Sequence, residues 1–427
     1  RPDAAQLKDT GRFYLQIGYN EFFALGQSAW CGADYEPQDK AAVKREESVC
    51  VLDASGQTVF EAAKEGKRGK AQTKQLVAIV RMLSALAQQE KIRPRLLWQK
   101  ALADQISLQY INEAYPLRQK NSISIPLGVV DNPASQRQFA YVLDLQKCQN
   151  VLAAGESGSG KSMLLQTILT SIVLSYSPED VHFYTMDFSG KMLKIFQQLP
   201  HCGGYLDEES EKDIPRLLDM IGKIIAERKK RFADAEVSNF DSYLQIKKIP
   251  LILILIDHFS GLLGLKKGDE FYRRISVLMR DGVSYGIKFI ITAVNPNDFN
   301  IRIKQNASER LALQLTDRYA YGAVLDCICR YTPPKKSGRG LCLVDEVPLE
   351  FQAAMYGAGM EEQKRMARLK EELSRIQTKY ADMACAERLL QVTENERYQD
   401  FCRDFPTGRI PLGYLVTDVK KVAMPLK

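Results

Sequence analysis

Histidine and tryptophan are scarce in this chain, and its cysteines and apolar residues do not follow the patterns of several specialised protein classes. There are 3 histidines and 2 tryptophans, and the histidines are too scattered to suggest a zinc site. The 9 cysteines show no framework spacing, and the tightest pair is Cys327-x-Cys329, so we expect reduced thiols of a cytosolic protein. The longest apolar run, Leu251 to Ile256, is far shorter than the roughly 20 residues that span a bilayer.

The composition is that of an ordinary globular protein, and the length predicts more than one domain. The 427 residues suggest about two or three units, with 45% apolar and 26% charged residues. The 59 basic and 52 acidic residues are well mixed, so the net charge of +7 neither requires nor excludes a nucleic-acid partner. No signal peptide is visible, and the chain starts at Arg1. We therefore expect a soluble piece of a larger protein, any membrane anchor of which could lie outside it.

Two parts of the chain resemble each other in the order of their motifs. Each has a strand opened by Gly-Arg, then a segment with apolar residues at helical spacing, and then Ile-Pro-Leu-Gly. The first copy consists of Gly11–Ile17, Lys74–Lys91 and Ile125–Gly128, and the second of Gly338–Val344, Glu361–Leu390 and Ile410–Gly413. The repetition predicts a tandem array. The predicted boundaries are 1–37 for the tail of a preceding module, 38–120 for a linker with a helix, 121–357 for a complete module, 358–408 for a helical linker and 409–427 for the start of a next module.

The most specific motif is a glycine-rich loop between a short apolar strand, Val151–Ala154, and a helical pattern that starts near Met163. Glycines let backbone N–H groups converge on phosphate oxygens, and the helix N-terminus adds partial positive charge. Lys161 supplies a point charge to the β- and γ-phosphates, and Ser162 would place its hydroxyl on Mg²⁺. The sequence therefore predicts ATP and Mg²⁺ as ligands. The predicted nucleotide-binding residues are Gly155, Glu156, Ser157, Gly158, Ser159, Gly160, Lys161, Ser162 and Met163.

A second buried strand, Leu251–Ile256, ends in Asp257, where ligands bind at the carboxyl ends of parallel strands. We expect Asp257 and Ser162 to hold the magnesium shell. His258 occupies the next position. Hydrolytic ATPases with such a glycine loop and strand-end aspartate carry a water-orienting glutamate there. We therefore expect tight nucleotide binding with weak or absent hydrolysis. Thr292 and Asn295, at the end of a further strand, either sense the γ-phosphate or simply terminate that strand.

Several further segments, in the same order along the chain, resemble the FtsK/SpoIIIE-type translocase ATPases over about 126–351. These segments are Asp187-Phe188-Ser189-Gly190, Leu199-Pro200-His201, the Glu227–Tyr243 stretch and Arg280-x-Gly282-x-x-x-Gly286-Ile287. The resemblance implies an α/β, RecA-like P-loop NTPase domain with a mostly parallel central sheet flanked by helices, together with helical linker segments.

Within this family the chain is most similar to the EssC/EccC ATPases of type VII secretion, which carry several such domains in tandem. Gly11–Gly18 with Gln27–Ala33 looks like the tail of a first ATPase module, and Ile410–Gly413 like the opening of a third. The resemblance implies a middle ATPase domain of a larger membrane protein, on the cytoplasmic side of the cell membrane. Its implied partners are the neighbouring ATPase domains, other secretion-system membrane subunits and small helical WXG-type secreted proteins. In the full protein we expect a homo-oligomer, namely a hexamer.

In such a ring, a neighbouring subunit contributes an arginine to the γ-phosphate. Arg310 matches the family position best, Gln314 replaces a following family arginine, and Arg318 is a second candidate. Two other functions stay open at this point. One is a DNA translocase motor, for which the basic runs are short and DNA is not the expected partner. The other is a structural module that binds nucleotide without turnover.

Overall fold

The computed structural model describes residues 7–17, 22–30, 32–35, 49–62, 73–92, 100–116, 122–389, 402, 409–415 and 420–425. The chain divides into two compact units, residues 1–96 and 97–427. Within the described ranges, every helix is too short or too polar to cross a lipid bilayer.

The strands and helices of the described residues are numbered in chain order. The strands are β1 Arg12–Ile17, β2 Phe22–Gln27, β3 Val49–Leu52, β4 Thr58–Ala62, β5 Ile106–Ser107, β6 Ser124–Asn132, β7 Arg137–Asp144, β8 Val151–Ala154, β9 Val181–Asp187, β10 Cys202–Asp207, β11 Leu251–Asp257, β12 Ile287–Ala293, β13 Glu309–Leu313, β14 Arg339–Val344, β15 Val347–Met355, β16 Arg409–Leu415 and β17 Lys420–Pro425. The helices are α1 Gln75–Gln89, α2 Leu108–Ala114, α3 Lys161–Ser175, α4 Ile214–Asp234, α5 Phe240–Leu244, α6 Phe259–Leu263, α7 Gly268–Gly282, α8 Ile301–Gln305, α9 Arg318–Leu325 and α10 Glu362–Lys379.

The second unit is built on an 11-stranded sheet in the order β10-β9-β11-β12-β8-β13-β14-β15-β6-β7, with β5 also paired to β15. The first six strands in this order, β10, β9, β11, β12, β8 and β13, are parallel to one another. The remaining strands, β14, β15, β6 and β7, extend the sheet through antiparallel pairs. The predicted α/β class with a mostly parallel central sheet and flanking helices is therefore confirmed.

The sequence of the central strands explains why helices cover both faces of the sheet. Every residue of β11 is buried, as expected for a continuous apolar strand of a parallel sheet. One face packs against α3 and α10, and the other against α4, α7 and α9. Because β8 and β11 run parallel in the sheet, the loop after β8 and the aspartate at the end of β11 emerge at the same edge.

Parts of both predicted linkers pack against this sheet. Leu102, Ile106 and Ile111 form a small cluster with Val129 and Ala354. Three residues of α10 join the main core at one face of the sheet, namely Leu369, Leu373 and Ile376. The helix pattern predicted for 361–390 gives a helix that ends at Lys379, followed by irregular chain whose backbone bonds to Pro200 and Gly203.

The repeated motifs adopt repeated backbone features. Gly11 and Gly338 have φ angles of +83° and +75°, and each precedes the first strand of an antiparallel pair, β1–β2 or β14–β15. The Ile-Pro-Leu-Gly motifs lie in β6 and β16, and the pairing of each strand shifts register at the same place, between Pro126 and Gly128 or between Pro411 and Gly413.

Candidate functional site

The glycine-rich loop lies between the end of β8 and the start of α3, at the carboxyl edge of the parallel strands. Gly160 adopts φ +101°, and a Cβ there would lie 2.9 Å from the backbone nitrogen of Gly338. A Cβ on Gly155 would lie 2.5 Å from Ser159 Oγ, so both positions need glycine. The loop is also anchored by hydrogen bonds, from Gly155 N to Ala293 O at 3.1 Å and from Gly338 N to Ser159 O at 2.8 Å.

Lys161 is 8% exposed, and its ammonium lies against the loop backbone. Its Nζ donates to the carbonyl oxygens of Gly155 at 2.7 Å and Glu156 at 2.8 Å, which leaves one of its three N–H groups for another acceptor. Burial lowers the pKa of Lys161 below its ordinary value, while the nearby carboxylates of Asp257 and Glu156 act in the opposite direction. A phosphate oxygen is an acceptor that suits a buried cation at the start of a helix.

Ser162, Asp257 and Thr292 form a connected polar group at the same edge. Ser162 Oγ donates to Asp257 Oδ2 at 2.5 Å, and Thr292 Oγ1 donates to Asp257 Oδ1 at 2.5 Å. Thr292 reaches Asp257 because β12 lies between β8 and β11 in the sheet. Burial raises the pKa of the Asp257 carboxyl, and the two hydrogen bonds partly offset this. A nearly buried carboxylate beside a hydroxyl is a donor set that suits Mg²⁺, so these residues fit the metal that the sequence predicts.

Lys161 and Ser162 border a cavity of about 300 Å³. Its lining residues come from the loop, from the ends of neighbouring strands and from α10; they are Ser157, Gly158, Gly160, Lys161, Ser162, Met163, Ser189, Met192, His258, Val294, Ser337 and Glu362. His258 adopts a left-handed conformation with φ +62°, and its N–H donates to Thr292 Oγ1 at 3.0 Å. His258, the residue directly after Asp257, thus lines the cavity.

Several predicted site residues do not line this cavity; they are Gly155, Glu156, Ser159, Asp257, Thr292, Asn295 and Arg310. The Asn295 side chain accepts from Asn297 N at 3.0 Å and caps a short turn. Arg310 lies near the start of β13, and its Nη2 donates to the Lys304 carbonyl at 2.9 Å. Roles for Asn295 at the γ-phosphate and for Arg310 in a neighbouring subunit stay predictions, as does the alternative role of the exposed Arg318.

Sequence reasoning missed several residues at the site. Asp187 is paired in register with Asp257, and its carboxylate accepts from Ser189 N and Leu193 N, both at 3.1 Å, which orders the loop after β9. Ser189 then lies with its Oγ 3.4 Å from Ser162 Oγ. The Asp187-Phe188-Ser189-Gly190 segment was a signal for this loop. No sequence signal pointed to Glu362, which reaches the cavity from a predicted linker.

A strand, a glycine loop and a helix facing a buried strand-end aspartate define the chain as a P-loop nucleotide-binding protein. The FtsK/SpoIIIE family model matches residues 118–343, which is more than half of the chain. The chain belongs to the FtsK/SpoIIIE family.

Curated relatives come from type VII secretion systems. The ESX secretion system protein EccC of Geobacillus thermodenitrificans is 26% identical over 434 residues, covering 100% of this chain and 28% of that protein. The ESX secretion system protein YukB of Bacillus subtilis is 30% identical over 321 residues, covering 74% of this chain and 21% of that protein. The chain thus spans only about a quarter of the length of these relatives.

Solved structures share the fold. ATPases 2 and 3 of EssC from Geobacillus thermodenitrificans match with a TM-score of 0.68 and 23% identity, covering 77% of this chain and 62% of that one. The cytoplasmic domain of the Thermomonospora curvata type VII secretion ATPase EccC matches with a TM-score of 0.66 and 19% identity, covering 99% of this chain and 47% of that one. At these identities the likeness establishes the fold.

Proposed function

We propose that this chain binds ATP with Mg²⁺ at the loop after β8 and serves as an ATPase domain of a type VII secretion protein. The observation that carries the proposal is the 2.5 Å hydrogen bond between Ser162 and Asp257, beside a buried Lys161. The glycine loop, its lysine and the strand-end carboxylate thus lie together in the arrangement that a triphosphate and its metal require. Nucleotide titrations of the Lys161→Ala and Asp257→Asn variants test it.

The roles of the residues follow from their contacts. Loop N–H groups and Lys161 hold the phosphates, whereas Ser162 and Asp257 hold the magnesium ion. When bound, Mg²⁺ neutralises charge on the phosphate oxygens. Thr292 fixes the orientation of Asp257 through its 2.5 Å hydrogen bond. In this proposal Thr292 orients the metal-binding carboxylate and does not contact the γ-phosphate directly.

Hydrolysis at this site is weak or absent because His258 occupies the position of the water-orienting glutamate. Among the described residues that line the cavity, Glu362 is the one carboxylate, and it lies on α10, outside the motif that normally supplies the base. Imidazole is a poorer fit for polarising water when it is protonated or held by another partner. The site thus suits a domain that binds nucleotide and regulates its neighbours.

Replacement of His258 by glutamate is expected to raise ATP turnover about tenfold, since an added base recovers part of the roughly 10²–10⁴-fold that general-base catalysis contributes. Phosphate release from wild type, His258→Glu and His258→Gln is measured with the same protein stock and Mg²⁺ concentration. His258→Gln is the matched control, because it lacks the carboxylate. Equal turnover in His258→Glu and His258→Gln would show that the missing carboxylate does not limit this site.

The ends of the chain are proposed to belong to neighbouring modules, with the boundaries at about 37, 120, 357 and 408. The shared left-handed glycines and the shared register shifts in the Ile-Pro-Leu-Gly strands support this arrangement. Helix α1 has no buried residue, and its apolar side chains Leu76, Ile79 and Leu83 are about half exposed. We infer that α1 packs on a preceding ATPase module, as α10 packs on its own sheet.

The similarity to type VII secretion proteins favours protein export over DNA translocation. EccC of Thermomonospora curvata has been solved in complex with a signal sequence peptide. We propose secreted helical proteins as partners here too, with the domain on the cytoplasmic side of the membrane. A DNA path needs free basic side chains, but several residues of the short basic runs already have protein partners. Arg228 donates to the carbonyls of Tyr285 and Pro250, Arg231 pairs with Glu227, Lys248 with Asp180, and Lys336 with Asp104.

A further inference from the structure

A second cavity, of about 440 Å³, adjoins the first and shares Gly160, Met163 and Ser337 with it. The shared residues lie at the loop and at the beginning of α3, which is where a triphosphate on the loop would continue into its nucleoside. The volume falls within the roughly 300–1,000 Å³ typical of small-molecule sites. The second cavity therefore has the position and size to hold a base and its ribose.

The second cavity is lined by apolar side chains and by polar side chains, most of which already have hydrogen-bond partners in the protein. The apolar part comes from Met163, Leu164, Ala353, Ala354 and Met355. The polar side chains are held by protein atoms: Asp104 accepts from Lys336 Nζ at 2.5 Å, Gln105 Oε1 accepts from Gly359 N at 2.8 Å, and Gln352 Oε1 accepts from Arg339 Nε at 2.7 Å.

Arg365, on α10, differs from those polar groups. It is 8% exposed, and of the described residues lining this cavity it alone carries a buried side-chain nitrogen, Nε, without a hydrogen-bond partner. Its stem packs against Gly357, where a Cβ would lie 3.1 Å from Arg365 Cγ. The nearest ion-pair partner, Glu362 Oε1, is 4.0 Å from Nη2. A buried guanidinium N–H that has no hydrogen-bond acceptor lowers the stability of the protein, and a ligand acceptor would remove this penalty.

We propose that α10 forms the nucleoside end of the ATP site, with Arg365 donating to an acceptor of the base or ribose. This rests on the proposed ATP site at the loop after β8. Helix α10 lies beyond the residues that the family model matches, 118–343, and in the segment that leads towards the β16–β17 hairpin. Nucleoside binding would thus further stabilise the helix that connects to the next module, and a triphosphate without a nucleoside would not.

The test compares ATP with inorganic tripolyphosphate, both with Mg²⁺, by calorimetry on wild type, Arg365→Met and Arg368→Met. Methionine keeps the apolar stem, and the exposed Arg368 on the same helix provides the matched control. Arg365→Met is expected to lose about tenfold or more in ATP affinity, as befits a charge-assisted hydrogen bond, and to bind tripolyphosphate as wild type does. Arg368→Met should bind both ligands normally.

Two further measurements separate this role from a structural one. Because Arg365 Nε has no partner, the unliganded Arg365→Met protein should melt at or above the wild-type temperature. ATP, but not tripolyphosphate, should slow hydrogen exchange in α10 of wild type. Equal ATP affinity in Arg365→Met and Arg368→Met overturns the inference, and so does an equal loss for both ligands in Arg365→Met. A wild type that binds tripolyphosphate as tightly as ATP overturns it while leaving the phosphate site standing, whereas a wild type that binds neither ligand overturns both.

Discussion

Alanine in place of Lys161 is expected to weaken Mg–ATP binding about 100- to 1,000-fold. The ammonium is 8% exposed and is held against the loop by two carbonyls, so it reaches the phosphates with its position already fixed. The remaining N–H contributes one charge-assisted hydrogen bond of about 1.5–3 kcal/mol, and the attraction of the ammonium to the phosphate charges adds about 1 kcal/mol or more, which together account for a loss of this size. Calorimetry or displacement of a fluorescent ATP analogue measures the change.

The control for Lys161→Ala is Lys335→Ala, which removes an exposed lysine of the loop before β14. Lys335→Ala should bind ATP as wild type does, and both variants should keep the wild-type circular dichroism spectrum. If Lys161→Ala bound ATP within about threefold of wild type, the phosphates would lie elsewhere, because a loss that small corresponds to less than one charge-assisted hydrogen bond.

Replacement of Arg339 by methionine is expected to lower the free energy of unfolding by about 3–5 kcal/mol, as for other buried ion pairs that lose one partner. The Arg339 side chain is 4% exposed; it donates to Glu350 at 2.6 Å and Gln352 at 2.7 Å. It also donates to the carbonyls of Leu102 and Ala103, both at 3.0 Å. Removing it leaves several buried acceptors unpaired and detaches the 102–103 segment from β14.

Denaturant unfolding of Arg339→Met and Lys336→Met measures this effect. Lys336 pairs with Asp104 near the same segment, but the lysine side chain is 43% exposed, so its loss should cost at most about 1 kcal/mol. A similar, small loss in both variants would mean that the buried network contributes little to the stability of the fold.

The glycine-rich loop and the strand that ends in Asp257 could be predicted from the sequence, because each is a contiguous pattern of residues. Eight residues from Gly155 to Ser162 carry the loop, and the apolar run up to Asp257 is typical of a parallel strand covered on both faces. Their side chains meet at 2.5 Å because parallel strands bring their carboxyl ends to one edge. The fold class followed from the resemblance of further segments to the FtsK/SpoIIIE-type ATPases.

Contacts that depend on strand order and on distant segments could not be predicted in this way. Thr292 contacts Asp257 only because β12 lies between β8 and β11, which no local pattern specifies. The helical pattern of 361–390 indicated an amphipathic helix, but its period does not say which surface it covers. The positions of Glu362 and Arg365 at the two cavities therefore required the structure.

The most direct measurement is a titration of ATP, with and without Mg²⁺, into wild type and Asp257→Asn by calorimetry. The site predicts that Mg²⁺ tightens ATP binding to wild type by about tenfold or more, as expected when a buried carboxylate and a hydroxyl receive the metal. It also predicts that Asp257→Asn still binds metal-free ATP and loses the magnesium effect. A wild type that does not bind ATP, or the same magnesium effect in both proteins, would contradict a shared nucleotide and metal site at the loop after β8 and the end of β11.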